Sequence, residues 1–242
     1  MEQRPNLQQQ EGYYTDRWKN FAFANSLDMA RIGSVLGILA NTGSTTPTIC
    51  DLGCGAGWST SVLGMFGRAL GVDLSDTTLA SQRFPHCTFV SANILDWESP
   101  CEAFDVVVSM EVIEHIERPL QPKFVDVAHR VLKPGGHLIL TTPNARTMRA
   151  MAGGGREWSN QPIEDWLDAD ELRRLLGARF QVHRVDSIIL GMGVRGLYRF
   201  MNSTKVNRFM NRVRTTRAWD RARARGMYGL HLLAHGQKPA HH

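Results

Sequence analysis

Ile49-Cys50-Asp51-Leu52-Gly53-Cys54-Gly55-Ala56-Gly57-Trp58-Ser59-Thr60 is a short apolar run that breaks into three glycines spaced two apart and then into small polar residues. This order predicts a strand, a tight turn and the first turn of a helix. Glycine suits the turn because the chain must reverse through backbone angles that a Cβ forbids, and because a ligand must reach bare backbone. The free amides that open the next helix complete a polar cradle. About twenty residues on, Ala69-Leu70-Gly71-Val72-Asp73-Leu74 predicts a second strand ending in a carboxylate, where a nucleotide-binding α/β unit holds ribose hydroxyls. A dinucleotide fingerprint needs its third small residue where Trp58 stands. The ligand expected is therefore a nucleoside without a pyrophosphate.

Asp51-x-Gly53-x-Gly55-x-Gly57 followed by Gly71-Val72-Asp73 resembles the first two motifs of class I S-adenosylmethionine-dependent methyltransferases. Further along, Phe104-Asp105-Val106-Val107-Val108-Ser109 resembles that family's fourth strand. The segment from Leu132-Lys133-Pro134-Gly135-Gly136 through His137 to Asn144 resembles its helix, turn and fifth strand. The resemblance runs from about residue 45 to about 190. It implies an α/β, Rossmann-like fold: a seven-stranded, mostly parallel sheet with helices on both faces and an antiparallel last strand. It also implies S-adenosylmethionine as cofactor and S-adenosylhomocysteine as product. Asp73 would hold the ribose, Gly53, Gly55 and Gly57 would pass beneath the methionine portion, and Asn93 and Ile94 would flank the adenine. Asp51, Leu74 and Met110 complete the implied cofactor set.

At 242 residues and 43% hydrophobic content the chain suits one α/β domain with additions. No apolar run is long enough to span a bilayer, and the Gln-rich start lacks a signal-peptide core, so a cytoplasmic protein is expected. The four cysteines, Cys50, Cys54, Cys87 and Cys101, include no Cys-x-x-Cys pair, which argues against a zinc or disulfide framework. Charge is unevenly spread. Residues 191–242 hold 11 lysines and arginines against one acid, Asp220, while residues 1–190 hold 17 against 22.

Residues 1–44 precede the core as an aromatic-rich helical segment, with Tyr13, Tyr14, Arg17, Trp18, Phe21 and Phe23. In related methyltransferases such a segment covers the cofactor and shapes the substrate pocket, and Arg17 is a candidate partner for the cofactor's carboxylate. Residues 45–242 form the methyltransferase domain, with strands expected at 180–190 and 228–234 and a basic insertion at about 191–227. In that insertion Val206, Phe209, Met210 and Val213 follow a helical apolar spacing, while Arg208, Arg212, Arg214, Arg217, Arg221, Arg223 and Arg225 fall mostly elsewhere around the helix. The stripe is compatible with packing on the domain, with a homodimer contact, or with an anionic surface or substrate.

Methyl transfer is an in-line displacement at a sulfonium carbon, so the protein must align the nucleophile and accept its proton. His115, just past the fourth strand, is the candidate base. Glu111, Glu114 and His115 are expected on one helix face at i, i+3 and i+4, where they could also hold a divalent metal. The run Glu111-Val112-Ile113-Glu114-His115 resembles two metal-using branches, the ubiquinone-biosynthesis O-methyltransferases and the 3′-terminal RNA 2′-O-methyltransferases. Gln161 to Asp165, before Trp166, lacks the histidine that completes the metal site in the RNA branch, and no metal is assigned. The expected activity is methylation of a small-molecule hydroxyl on a phenol, quinone precursor or sugar. Its rivals are RNA 2′-O-methylation through the basic tail and a non-catalytic, cofactor-binding regulator.

Overall fold

The computed structural model describes residues 5–152, 161–189, 200, 203–213, 218–219, 221–222 and 229–240. Two helices precede the sheet: α1 (Leu7–Lys19), opened by an Asn6/Gln9 capping box, and α2 (Ser26–Leu39), opened by Asn25 and Asp28 in the same arrangement. Then come β1 (Thr48–Leu52), α3 (Trp58–Leu63), β2 (Arg68–Asp73), α4 (Thr78–Arg83), β3 (Thr88–Ser91) and β4 (Phe104–Met110). After them lie α5 (Gln121–Val131), β5 (Leu132–Pro143), α6 (Ala145–Ala152), α7 (Ala169–Gly177), β6 (Gln181–Ile188), α8 (Thr204–Arg212) and β7 (His231–Gln237).

The strands form one seven-stranded sheet in the order β3-β2-β1-β4-β5-β7-β6. β1 to β5 pair in parallel, and β7 runs antiparallel to both β5 and β6. This is the expected Rossmann-like arrangement. Central strands such as Val106-Val107-Val108 and Leu138-Ile139-Leu140 are apolar at consecutive positions because both of their faces are covered. On one face Ile32, Val35 and Leu39 of α2 and Leu63 of α3 pack over Ile49, Val106, Val108 and Ile139. On the other, Phe124, Val125 and Ala128 of α5 and Leu172 and Leu176 of α7 pack over Leu52, Val107, Leu138 and Leu140. Burial of that apolar area is the main stabilising contribution.

Several element boundaries depart from the sequence reading. The last strand is His231–Gln237 rather than 228–234, because its register is set by pairing with both β5 and β6. β6 spans 181–188 within the expected 180–190. The Lys133–Gly136 turn lies inside β5, looping out between Leu132, paired with Phe104, and His137, paired with Val106. Most important, residues 111–116 do not form a helix. Glu111 takes a left-handed backbone (φ 59) and its amide donates to the Thr141 carbonyl. Only a single 3₁₀ turn, Ile113–His115, follows. The expected shared helical face for Glu111, Glu114 and His115 is therefore absent. The glycine run 153–155, most of the basic insertion, and Arg214, Arg217, Arg223 and Arg225 lie outside the described residues. No helix among the described residues is long and apolar enough to cross a membrane.

Candidate active site

At the carboxyl edge of the sheet the glycine loop, the ends of β2 and β4, the turn after β3 and helix α1 enclose a cavity of about 1200 Å³. Open α/β sheets bind ligands at this edge. The loop's shape comes from Gly53, Gly55 and Gly57, with φ of 83°, 53° and 81°. A Cβ on Gly53 would stand 2.2 Å from Val112, and one on Gly55 would stand 2.7 Å from the Trp18 indole. Neither a side chain's backbone preference nor its volume is tolerated there.

Asp51 and Asp73 hold this loop from beneath. Asp51 is buried and its Oδ2 accepts from the Ser59 and Thr60 hydroxyls at 2.8 and 2.7 Å, tying β1 to the start of α3. Burial outweighs those hydrogen bonds and pushes its carboxyl up to about 6. Asp73 Oδ2 accepts from the Gly55 amide at 2.7 Å and its Oδ1 from the Ser75 amide at 2.9 Å. Burial raises Asp73 as well, against the opposing effect of these bonds. Oδ1 also accepts from the Ser75 hydroxyl at 2.5 Å, so Oδ2 is the oxygen that keeps a lone pair for a ligand hydroxyl.

Gly53, Gly55, Asp73, Leu74, Asn93, Ile94 and Met110 all line the cavity, whereas Asp51 and Gly57 do not and act on the loop's conformation. Asn93 was expected to accept from adenine. Its Oδ1 already accepts the Leu95 amide at 3.2 Å, and its Nδ2 donates to Asp96 at 2.7 Å. Asp96, which sequence reasoning did not single out, also faces the cavity. Cys50 and Cys54 are buried with their thiols pushed up by burial, so neither supplies a thiolate.

The Glu/His group divides three ways. Glu111 Oε2 meets Arg31 Nη1 at 3.0 Å and His231 Nε2 at 2.9 Å, and its Oε1 accepts from the Thr141 hydroxyl at 2.9 Å. Burial alone would raise this carboxyl, but His231, Arg31 and Thr141 together hold it below its usual value. Arg31 is further paired with Asp28. Glu114 is 1% exposed, and its Oε2 accepts from the Thr142 hydroxyl at 2.9 Å. Burial, and then the nearby Glu111, push it well above the carboxylate range, so it is held as a neutral acid.

His115 Nδ1 stands 2.8 Å from the Ile163 carbonyl. A carbonyl oxygen can only accept, so Nδ1 carries the proton and Nε2 presents a lone pair. Nε2 is 3.8 Å from Glu114 Oε1, and the Tyr14 ring, tilted by 51°, has its centroid 5.9 Å from that of the imidazole. Burial pulls His115 below its ordinary value, keeping it neutral near pH 7. The Tyr14 phenol is pushed up by burial and by Glu114 and stays protonated. Trp166 completes this wall, its buried Nε1 having no hydrogen-bond partner among the described residues.

Arg31 and His231 escaped sequence reasoning because they come from α2 and β7, 200 positions apart, and no local pattern connects them. Ile163 contributes a backbone carbonyl, for which no side-chain motif exists. Among the described residues no group of three or more His, Cys, Asp or Glu side chains is arranged to hold a metal ion.

Residues 50–140 match a family model described as a methyltransferase domain. The chain is 32% identical over 154 residues to a probable S-adenosylmethionine-dependent methyltransferase of Mycolicibacterium smegmatis, covering 62% of this chain and 58% of the relative. It is 36% identical over 123 residues to a ubiquinone biosynthesis O-methyltransferase of Methylococcus capsulatus, covering 47% of this chain and 50% of that one. The chain thus spans about half the length of these curated relatives. In fold it resembles the N-methyltransferase NodS of Bradyrhizobium japonicum, solved with S-adenosyl-L-homocysteine. That match has a TM-score of 0.65 at 18% identity and covers 95% of this chain and 98% of the other.

The glycine cradle that any Cβ would obstruct, with Asp73 beneath it and Leu74, Ile94 and Met110 beside it, fits the nucleoside and amino-acid parts of S-adenosylmethionine. Residues 50–140 match the methyltransferase-domain family, and over that region the chain resembles S-adenosylmethionine-dependent methyltransferases.

Proposed function

We propose that the protein methylates a hydroxyl group on a small-molecule acceptor, with phenols, quinone precursors and sugars as the substrate classes, and that His115 accepts the hydroxyl proton. The observation that carries this reading is the Nδ1–H hydrogen bond from His115 to the Ile163 carbonyl, which leaves Nε2 as a base beside the cavity. S-adenosylmethionine, when bound, supplies an electrophilic methyl on a positively charged sulfur. Gly53, Gly55, Asp73, Leu74, Ile94 and Met110 hold it, with Asn93 and Asp96 at the nucleoside end. Tyr14 and Trp166 supply neutral donors to the acceptor's oxygen atoms. Glu111 is already compensated by Arg31 and His231, and Glu114 is neutral, so neither draws in a cationic amine. That favours a hydroxyl over an ammonium acceptor. The name of the Methylococcus relative supports the same chemistry. Residues 1–44 serve as a lid through Tyr14, Arg17 and Trp18, which line the cavity.

The test is incubation with methyl-labelled S-adenosylmethionine and fractionated small molecules and RNA, for wild type and His115→Ala. Label is expected in a small-molecule fraction. The variant should lose roughly 10²–10⁴-fold in kcat at unchanged cofactor affinity. Because burial lowers the His115 pKa, the acid limb of the wild-type pH profile should fall below the ordinary imidazole value of 6.5. Label confined to RNA, or an unaffected variant, would refute the proposal.

A further inference from the structure

The described part of the insertion between β6 and β7 contains α8, a helix with no buried residue. Its sequence, Thr204-Lys205-Val206-Asn207-Arg208-Phe209-Met210-Asn211-Arg212, followed by Val213, includes no acid. Trp219 Nε1 donates to Asn207 at 3.1 Å, and Val206, Asn207 and Met210 on that side are half-buried. The opposite arc is exposed. At 100° per residue, Arg208, Arg212, Lys205, Phe209 and Val213 follow one another across ~140° of the helix. Phe209 is 62% exposed and Val213 47%, and Phe200, just before the helix, is 57% exposed. Three cations therefore flank two apolar side chains on one outward surface.

We infer that this arc of α8 docks the protein on an anionic phospholipid surface, lying in the plane of the headgroups. The charge complementarity is direct, since three cations and no acid face outward. The apolar groups decide between anionic partners. Nucleic-acid phosphates would neutralise Lys205, Arg208 and Arg212 but leave Phe209 and Val213 in water, whereas a bilayer interface takes both kinds of group. A nine-residue helix is far too short to cross the hydrocarbon, so it lies on the surface. The insertion also leaves and re-enters the sheet beside the cavity: Ile188 pairs with His231, and His231 contacts Glu111 in the cavity wall.

The full chain should co-sediment with phosphatidylglycerol vesicles at low salt and not with phosphatidylcholine vesicles. Reversing Lys205, Arg208 and Arg212 to glutamate should lower partitioning on the order of 100-fold, at about 1 kcal/mol per basic residue, with melting temperature unchanged. Phe209→Glu alone should also weaken binding, while Phe209→Trp should restore it and shift its fluorescence to the blue on vesicles. Equal binding to both vesicle types, or no effect of the charge reversal, would overturn the inference. So would retention of RNA in place of vesicles, or a Phe209-dependent dimer that excludes them. None of these readings requires turnover, so they stand or fall separately from the assignment of His115.

Discussion

At the scale of single residues, two glutamates three positions apart are held in opposite states. Glu111 is anionic because Arg31 and His231 compensate it, and Glu114 is neutral because burial beside Glu111 forbids a second charge. Glu114→Gln should therefore be mild, changing kcat less than about threefold, since the amide oxygen still accepts from Thr142 and no charge is lost. Glu111→Gln should be severe. It removes the carboxylate that pairs with the half-buried Arg31 and accepts from His231, leaving Arg31 only Asp28, and should cost roughly 3 kcal/mol in unfolding free energy, read by denaturant titration. A reversed order of the two variants would show that the protonation states are assigned the wrong way round. Asp51, Gly53, Gly55 and Asp73 were legible in the sequence because a tight turn and a strand-end carboxylate are local demands of the backbone. The partners of Glu111 were not, because a contact across 200 positions leaves no trace in any window of sequence.

At the scale of elements, α1 contributes no buried residue of its own, yet Trp18 lies against Gly55 and Tyr14 against His115. Its order therefore depends on what it covers. Gly55→Ala would drive a methyl to within 2.7 Å of the Trp18 ring and place a Cβ at positive φ, so cofactor affinity should fall at least ~10-fold by equilibrium dialysis. Trp18→Ala in that background should recover only part of the loss, because relieving the contact does not relieve the backbone. Full recovery would mean that the clash alone matters. Strands β1, β2, β4 and β5 were readable from their short apolar runs, and α2, which buries Ile32, Val35 and Leu39, fell within the helical segment expected before residue 45. Residues 111–116 were misread as helical for a tertiary reason: the Glu111 amide is taken by Thr141 of the neighbouring strand, and the chain enters the left-handed region to reach it. The start of β7 was placed early because its register is fixed by partners on both sides and not by its own sequence.

Across the whole molecule, the sheet carries its chemistry at one edge and a histidine cluster towards the other. His137, His235 and His183 lie on the adjacent strands β5, β7 and β6, with His137 Nδ1 3.0 Å from His235 Nε2 and the His183 and His235 ring centroids 4.9 Å apart. Burial, then His137 and His183, pull His235 from 6.5 down to about 4. A depressed histidine contributes stability that is complete above its unfolded value and is lost as pH falls from 6.5 towards 4. Half exposed, it should be worth about 1 kcal/mol after screening. Between pH 7 and pH 4.5 the wild type should lose about 2–4 °C more in melting temperature than His235→Asn. Asp51, raised to about 6, acts in the opposite sense in both proteins and cancels from the difference. Equal losses in the two would remove the cluster from any account of acid sensitivity.

The salt link of Arg31, Glu111 and His231 also has a consequence for synthesis on the ribosome. The glycine loop, Asp73 and His115 are encoded in the first half of the chain and emerge early, but the wall behind Glu111 waits for a residue in the last strand. A nascent chain stalled before residue 231 would hold Arg31 and Glu111 without their third member and β5 without its antiparallel neighbour. The wall behind Glu111 is therefore complete only once β7 has been made and has paired with β5.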